Sequence, residues 1–279
     1  MNTKACIKSA NRRKPEPMTA TPHPRRVLII LHQEHSTPGR IGRLLVEQGC
    51  ELDIRRPRFD DPLPRTMQDH AGAIIFGGPM SANDPDAWMT RETDWIGVPL
   101  KEEKPFLGVC LGGQMLARHL SHRVFNKSCG SAEIGYYNIQ PTAEGDASFG
   151  GRMPRTVYQW HREGFDLPRG ATLLAEGDLF PTQAFQYGPN AVALQFHPEV
   201  TYAMMCRWTT RAYERMQSPN AQQPHEHLAG WFQHDRAVAA WLDMFLRNWL
   251  ASGEAKAAKR PAAEASWGAA AMPMAAAPV

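Results

Sequence analysis

Residues 105–114 read PFLGVCLGGQ: an apolar run, one cysteine, then two glycines ahead of the helix-forming stretch QMLARHL. A structural cysteine needs no glycines around it. A thiol displayed at a tight strand-to-helix turn does, because its own backbone is strained and the helix must pack close to the strand. The pattern therefore predicts a strand over FLGV, Cys110 at its carboxyl end and a helix behind, with Gly108, Gly112 and Gly113 supplying the room. Open α/β sheets place their sites at that edge. The positive end of the helix favours a thiolate there, and the N–H of Leu111, next after the thiol, points at a developing oxyanion. Taken alone, the turn fits a buried structural cysteine equally well.

Upstream, RRVLIILHQ (25–33) is a short β-branched run of the kind that forms a strand buried on both faces. PGRIGRLLVEQGC (38–50) has helical spacing at Ile41, Leu44, Leu45 and Gln48, with Gly49 as a stop. ELDIRRP (51–57) alternates as a second strand. AGAIIFGGP (71–79) is a third, buried strand, and 86–103 reads as helix before the cysteine strand. Strands alternating with helices imply right-handed βαβ units and a mostly parallel α/β sheet with helices on both faces. Downstream, 135–141, 156–160, 172–177, 183–188 and 192–196 read as strands. Helical stretches follow over 200–216 and 235–250, whose Met and Trp residues are expected to pack on the sheet.

A nucleophilic cysteine needs a base. LQFHPEV (194–200) sets His197 at the end of an apolar strand, and Pro198 stops the ladder because it lacks an N–H. Glu199, two residues on, can orient the ring through one nitrogen and leave the other for the thiol. A lone histidine after a strand is more often an ordinary core or surface residue. The third piece is IIFGGPMS (74–81). Gly77 and Gly78 end the third strand, and the N–H of Gly78 can supply a second oxyanion donor. By itself, Gly-Gly-Pro is an ordinary turn.

The chain of 279 residues is 43% hydrophobic, enough for one large domain with a sizeable core. Its net charge of +3 is unevenly spread: residues 1–26 carry seven Lys and Arg against Glu16, so the remainder is negative overall. The basic balance therefore belongs to an arm and gives no support for a nucleic-acid-binding face. Five widely spaced cysteines, with no CxxC, fit a reducing compartment, and a cytoplasmic protein is expected. No apolar run reaches the roughly 18–20 residues of a membrane span, and no membrane partner is expected. The expected organisation is a disordered basic arm over 1–25, a folded domain over 26–250 and a disordered Ala-rich tail over 251–279.

Taken together, FGGPMS, GVCLGGQ and QFHPEV, in this order, resemble the class I glutamine amidotransferase family over about residues 27–250. The resemblance implies a flavodoxin-like α/β fold and a Cys-His-Glu triad that removes the amide of glutamine through a thioester. Cys110 is then the nucleophile, His197 the base and Glu199 the orienting carboxylate. The N–H groups of Gly78 and Leu111 form the oxyanion hole, with Gly77 beside the substrate and Gln114 helping to hold the glutamine. AEIGYYNI, VYQWHREGF and TQAF resemble the free-standing, GMP synthase-like branch, to which γ-glutamyl peptidases are also similar; there the segment matching Gln159, Trp160 and His161 lies beside the glutamine pocket. Trp160 and His161 are thus expected at the substrate. Many relatives continue this segment as His-Gly-Asp, whereas this chain has His161-Arg162-Glu163, so Arg162 is a further candidate for a carboxylate. No cofactor is implied. The last thirty or so residues hold no ammonia-consuming module, so a separate synthase subunit is expected to take the ammonia, or the enzyme acts alone on γ-glutamyl bonds. A regulatory protein on the same fold is the competing reading, as is a peptidase on another sheet.

Other patterns carry less. His32 and His35, His119 and His122, and His225 and His227 have loose metal-like spacing without a completing ligand set, and are expected to be scattered surface histidines with no metal. Asp84 and Asp86 are expected to cap a helix. RRPRFDD (55–61) is expected to be a solvated loop.

Overall fold

The computed structural model describes residues 25–148 and 152–257. The expected arm and most of the expected tail lie outside these residues. The last helix runs to Ala257, past the boundary expected at 250.

The first half alternates as its apolar pattern dictates. β1 (Arg25–Ile30) leads to α1 (Gly39–Glu47), then β2 (Cys50–Arg55), β3 (Gly72–Ile75), α2 (Ala87–Trp95), α3 (Gly97–Lys101), β4 (Phe106–Val109) and α4 (Leu111–His119). Gly49, at φ +80°, ends α1 in the left-handed region, as its position predicts. The second half is strand-rich: β5 (Val124–Asn126), β6 (Glu133–Asn138), β7 (Gln140–Pro141), the short α5 (Ala143–Ala147), β8 (Thr156–His161), β9 (Glu163–Phe165), β10 (Ala171–Glu176), β11 (Ala184–Tyr187) and β12 (Ala191–Leu194). α6 (Tyr202–Arg211) and α7 (Pro224–Ala257) close the fold.

The main sheet runs β2-β1-β3-β4-β12-β11-β10-β7. Its first five strands are parallel and its last three pair antiparallel. The parallel part has the flavodoxin-like order, and the chain turns antiparallel where hairpins replace crossover helices. Side chains alternate between two cores. Val27, Ile29 and Leu31 face one with Leu246 and Trp249 of α7; Leu28 and Ile30 face the other with Met89 of α2 and Met115 of α4. Burial on both faces explains why these strands read as continuous apolar runs rather than alternating ones. β5 pairs with β9 and β6 with β8 in two small side sheets.

This topology sets the carboxyl ends of β3, β4 and β12 side by side. β4 lies between the other two, in register with both. Chain segments far apart in sequence therefore leave the sheet at one rim.

Candidate active site

Cys110 follows β4 as the residue before α4, at φ +50° and ψ −104°. A non-glycine residue is strained there, and such strain persists only where the surroundings over-determine it. They do so here. The N–H of Cys110 donates to the Leu194 carbonyl at 2.7 Å, and its own carbonyl accepts from Gln114 N–H at 2.9 Å. A Cβ on Gly108 would come within 2.4 Å of the Gly112 carbonyl oxygen, and one on Gly112 within 2.1 Å of that of Ile75. Only glycine lets α4 approach the sheet so closely, and that approach seats its first turn under the thiol.

His197 leaves the sheet just after β12, where its N–H donates to the Tyr158 carbonyl at 2.8 Å. Its Nδ1 lies 2.8 Å from Oε1 of Glu199, with both side chains buried. Its Nε2 has no hydrogen-bond partner in the geometry of the described residues, and the Cys110 thiol stands close enough to the ring to act on its charge. Burial works against a charge on His197, but Glu199 and then Cys110 outweigh it and push its pKa up to about 10. The ring is thus disposed to carry a proton beside the sulfur through neutral pH. A titration near neutrality is the ordinary expectation for histidine; the buried carboxylate moves it upward.

The Gly77–Gly78 turn completes the rim. A Cβ on Gly77 would sit 2.8 Å from Cε1 of His197 and 3.5 Å from Cβ of Cys110. Gly77, Gly78, Cys110, Trp160, His197 and Glu199 line one cavity of about 570 Å³. Trp208 meets the His197 ring edge-on, with centroids 5.2 Å apart.

Residues 32–205 match the family model described as glutamine amidotransferase class-I. The chain belongs to that family. A glutamine amidotransferase-like protein, YfeJ, of Salmonella typhimurium is 28% identical over 186 residues, which cover 63% of this chain and 76% of that one. γ-Glutamyl peptidase 5 of Arabidopsis thaliana is 27% identical, over 55% of this chain and 63% of the peptidase. A subunit of the glutamine-hydrolysing GMP synthase of Thermococcus kodakarensis is 33% identical, over 63% of this chain and 90% of that one. A glutamine amidotransferase structure from Thermotoga maritima superposes with a TM-score of 0.72 at 30% identity, covering 82% of this chain and 99% of that one.

Within this glutamine amidotransferase fold, not every expected site residue meets the cavity. Leu111 is buried and outside the lining: its side chain packs toward Gly78, and as the first residue of α4 its N–H has no intrahelical acceptor. Gln114 and His161 do not line the cavity, contrary to expectation. Gln114 is buried behind the elbow, where its amide donates to the Glu163 carbonyl at 3.0 Å. His161 is also buried, with Nδ1 2.9 Å from the Glu163 carbonyl and Nε2 2.9 Å from Glu133 Oε2. Successive residues of a strand face opposite ways, so Trp160 at the cavity turns His161 from it. Arg162 is exposed and outside the lining as well.

Several contributors carry no sequence motif. The N–H of Arg40, in the first turn of α1, donates to the Glu199 carbonyl at 2.8 Å, and its guanidinium donates to the Pro198 carbonyl at 3.3 Å. That guanidinium also makes two 2.7 Å bonds to Asp235 of α7. Arg40 thus ties the His-Pro-Glu loop to the last helix. His32 and His227 are fully buried rather than on the surface: His32 pairs with Glu92, and His227 with the Tyr158 hydroxyl and the Gln222 carbonyl. Arg58, exposed in the short turn at Pro57–Phe59 as the solvated-loop reading expects, also lines the cavity. Asp86 takes the N-cap position of α2 but makes no side-chain cap bond, whereas the Asp84 carboxylate accepts from Ser81 N–H at 3.0 Å. Among the described residues, no three His, Cys, Asp or Glu gather to hold a metal ion, and no helix is long and apolar enough to cross a membrane.

Proposed function

We propose that this glutamine amidotransferase family member is a cysteine hydrolase that cleaves the γ-amide of glutamine, or a γ-glutamyl amide, through a thioester on Cys110. One observation carries the reading: a strained thiol, an imidazole with one nitrogen unengaged and a carboxylate on the other nitrogen converge at one cavity. The Cys110 sulfur attacks the amide carbon, and the C=O electron pair moves onto oxygen. The N–H groups of Gly78 and Leu111 receive that oxyanion. As it collapses, the C–N bond breaks and His197 gives its proton to the leaving nitrogen, which departs as ammonia or amine. His197 then takes a proton from water, the hydroxide attacks the thioester, and the sulfur leaves with glutamate released. Glu199 holds the ring throughout and favours its protonated form.

The test is release of glutamate from glutamine and from γ-glutamyl dipeptides, with Cys110→Ala as control. Turnover that survives this substitution would exclude the assigned nucleophile.

A γ-glutamyl peptide is favoured as substrate over free glutamine by the cavity wall. A volume of about 570 Å³ lies in the range of roughly 300–1,000 Å³ that holds drug-sized ligands. Met204 and Trp208 of α6 line it beside His197, and Arg207, Arg211 and Arg215 line it farther along, with Glu214 as the acid on that wall. Among the described residues, none of these three arginines forms an ion pair. They suit a leaving portion that bears a carboxylate. A dipeptide with a free C-terminal carboxylate should then outperform its C-terminal amide, and equal efficiency would remove this preference. A separate ammonia-accepting synthase is the alternative, supported by the similarity to the GMP synthase subunit of Thermococcus kodakarensis; it predicts glutamine turnover that rises when such a synthase is added.

A further inference from the structure

A second buried histidine–carboxylate pair stands behind the Gly77–Gly78 turn, outside the triad. His32 and Glu92 are both fully buried. Nδ1 of His32 lies 3.2 Å from the Gly77 carbonyl oxygen, and Nε2 lies 2.8 Å from Oε1 of Glu92. A carbonyl oxygen can only accept, so Nδ1 carries a proton and donates. Glu92 sets the rotation of the ring from its far side. Burial opposes a charge on His32, but Glu92 and the Gly77 carbonyl outweigh it and raise its pKa, while Arg58 acts the other way.

The two glycines are fitted between this pair and the nucleophile. A Cβ on Gly78 would sit 3.2 Å from Cβ of His32 and 3.1 Å from Cδ2 of Leu111, whereas one on Gly77 would strike the His197 ring. The intervening peptide is trans, so the Gly77 carbonyl and the Gly78 N–H point in opposite directions. A carbonyl drawn to His32 turns that N–H away, toward the side lined by Cys110 and His197. Among the described residues, the N–H of Gly78 has no hydrogen-bond partner.

We infer that His32, braced by Glu92, is a positioning residue: it anchors the Gly77 carbonyl and so aims the Gly78 N–H at the oxyanion site. A peptide between two glycines rotates more readily than any other. Without its anchor, it is free to present a carbonyl where the reaction needs a donor. The inference rests on Cys110 being the nucleophile of an acyl transfer.

The experiment compares two reactions of one thiol in the full chain. Hydrolysis of glutamine or a γ-glutamyl amide passes through an oxyanion; alkylation of Cys110 by iodoacetamide does not. In His32→Leu, kcat should fall about 10- to 100-fold, toward the loss seen when an oxyanion donor is removed, while KM and the alkylation rate stay within about threefold. His32→Asn, which keeps an amide donor at the δ position, should recover most of kcat. Glu92→Gln, which can still brace the ring by a hydrogen bond, should lose less than His32→Leu. Wild-type kcat in His32→Leu would overturn the inference, as would kcat and alkylation falling together in all three variants. If His32→Leu does not fold, the same comparison is read from His32→Asn against a His32→Ser variant, whose hydroxyl is too short to reach Gly77. Turnover that survives Cys110→Ala removes the underlying reading; turnover that needs Cys110 but not His32 removes this inference alone.

Discussion

Two buried polar clusters lie on either side of the β4–α4 elbow, and both are built around a histidine and a glutamate. In front stand Cys110, His197 and Glu199. Behind stand His161, Glu133, Gln183 and Gln159, where Gln183 donates to Glu133 at 2.8 Å and accepts from Gln159 at 2.6 Å. Burial does not separate them, since His161 and His197 are 6% and 5% exposed. What each ring faces does. His161 has Nδ1 2.9 Å from the Glu163 carbonyl and Nε2 2.9 Å from Glu133, the latter short of hydrogen-bond geometry, and does not line the cavity, whereas His197 lines that open cavity together with the Cys110 thiol. A histidine closed in by the protein's own oxygens is a packing element; one that meets a thiol at an open cavity is equipped for proton transfer.

The largest effect should come from the front cluster. Cys110→Ala should lower turnover by at least about 10³-fold while the thermal midpoint stays close to wild type, because the proposed reaction runs through the thiol. Kinetics and melting on the same sample check this, and comparable turnover would erase the distinction between the clusters. Next, Glu199→Gln should lower kcat about 10²-fold and move the basic limb of the pH–rate profile downward. Glu199, together with Cys110 and against the opposing effect of burial, raises the pKa of His197 to about 10, so removing the carboxylate's negative charge lets the proton leave at lower pH. The same shift means that the pair's contribution to stability is complete below the ordinary histidine value and fades as pH rises toward 10. A limb that stays put would show that the carboxylate does not tune the ring.

Arg40→Met probes the brace. It leaves Asp235 without its nearly buried partner and should cost roughly 3 kcal/mol of stability. Turnover should also fall as the His-Pro-Glu loop loosens. Denaturant melts check the first part, and unchanged stability would mean that the loop holds itself. The smallest catalytic effect is expected behind the elbow. Glu133→Gln should cost about 1–3 kcal/mol of stability and leave kcat within about threefold. A loss of kcat as large as that of Glu199→Gln would place the rear cluster in the chemistry.

The parts of this architecture that sequence reveals are those in which several local patterns agree. The elbow turn is legible because Gly108 and Gly112 leave room for a helix to pack close behind a strand, and its pairing with His197-Pro198-Glu199 because the two patterns occur together at strand ends; each alone also fits an ordinary residue. The parallel strands read clearly because both faces are buried. Arg40 and Asp235, 195 positions apart, leave no local trace, since each is an ordinary charged residue on a helix until α1 meets α7. His32 failed as a surface histidine for the same reason: its partner, Glu92, lies in α2, across the second core. His161 misled because its neighbour Trp160 does reach the cavity, and strand alternation sends the two to opposite sides.

On the proposed function, Cys110 is a nucleophile in a pocket that recognises a glutamyl group. Incubation of the full chain with a diazoketone analogue of glutamine, followed by peptide mass spectrometry, tests it most directly. One adduct is expected, on Cys110, that excess glutamine or γ-glutamyl dipeptide suppresses and that Cys110→Ala abolishes. Labelling confined to the exposed Cys129, or labelling of Cys110 indifferent to both competitors, would contradict it.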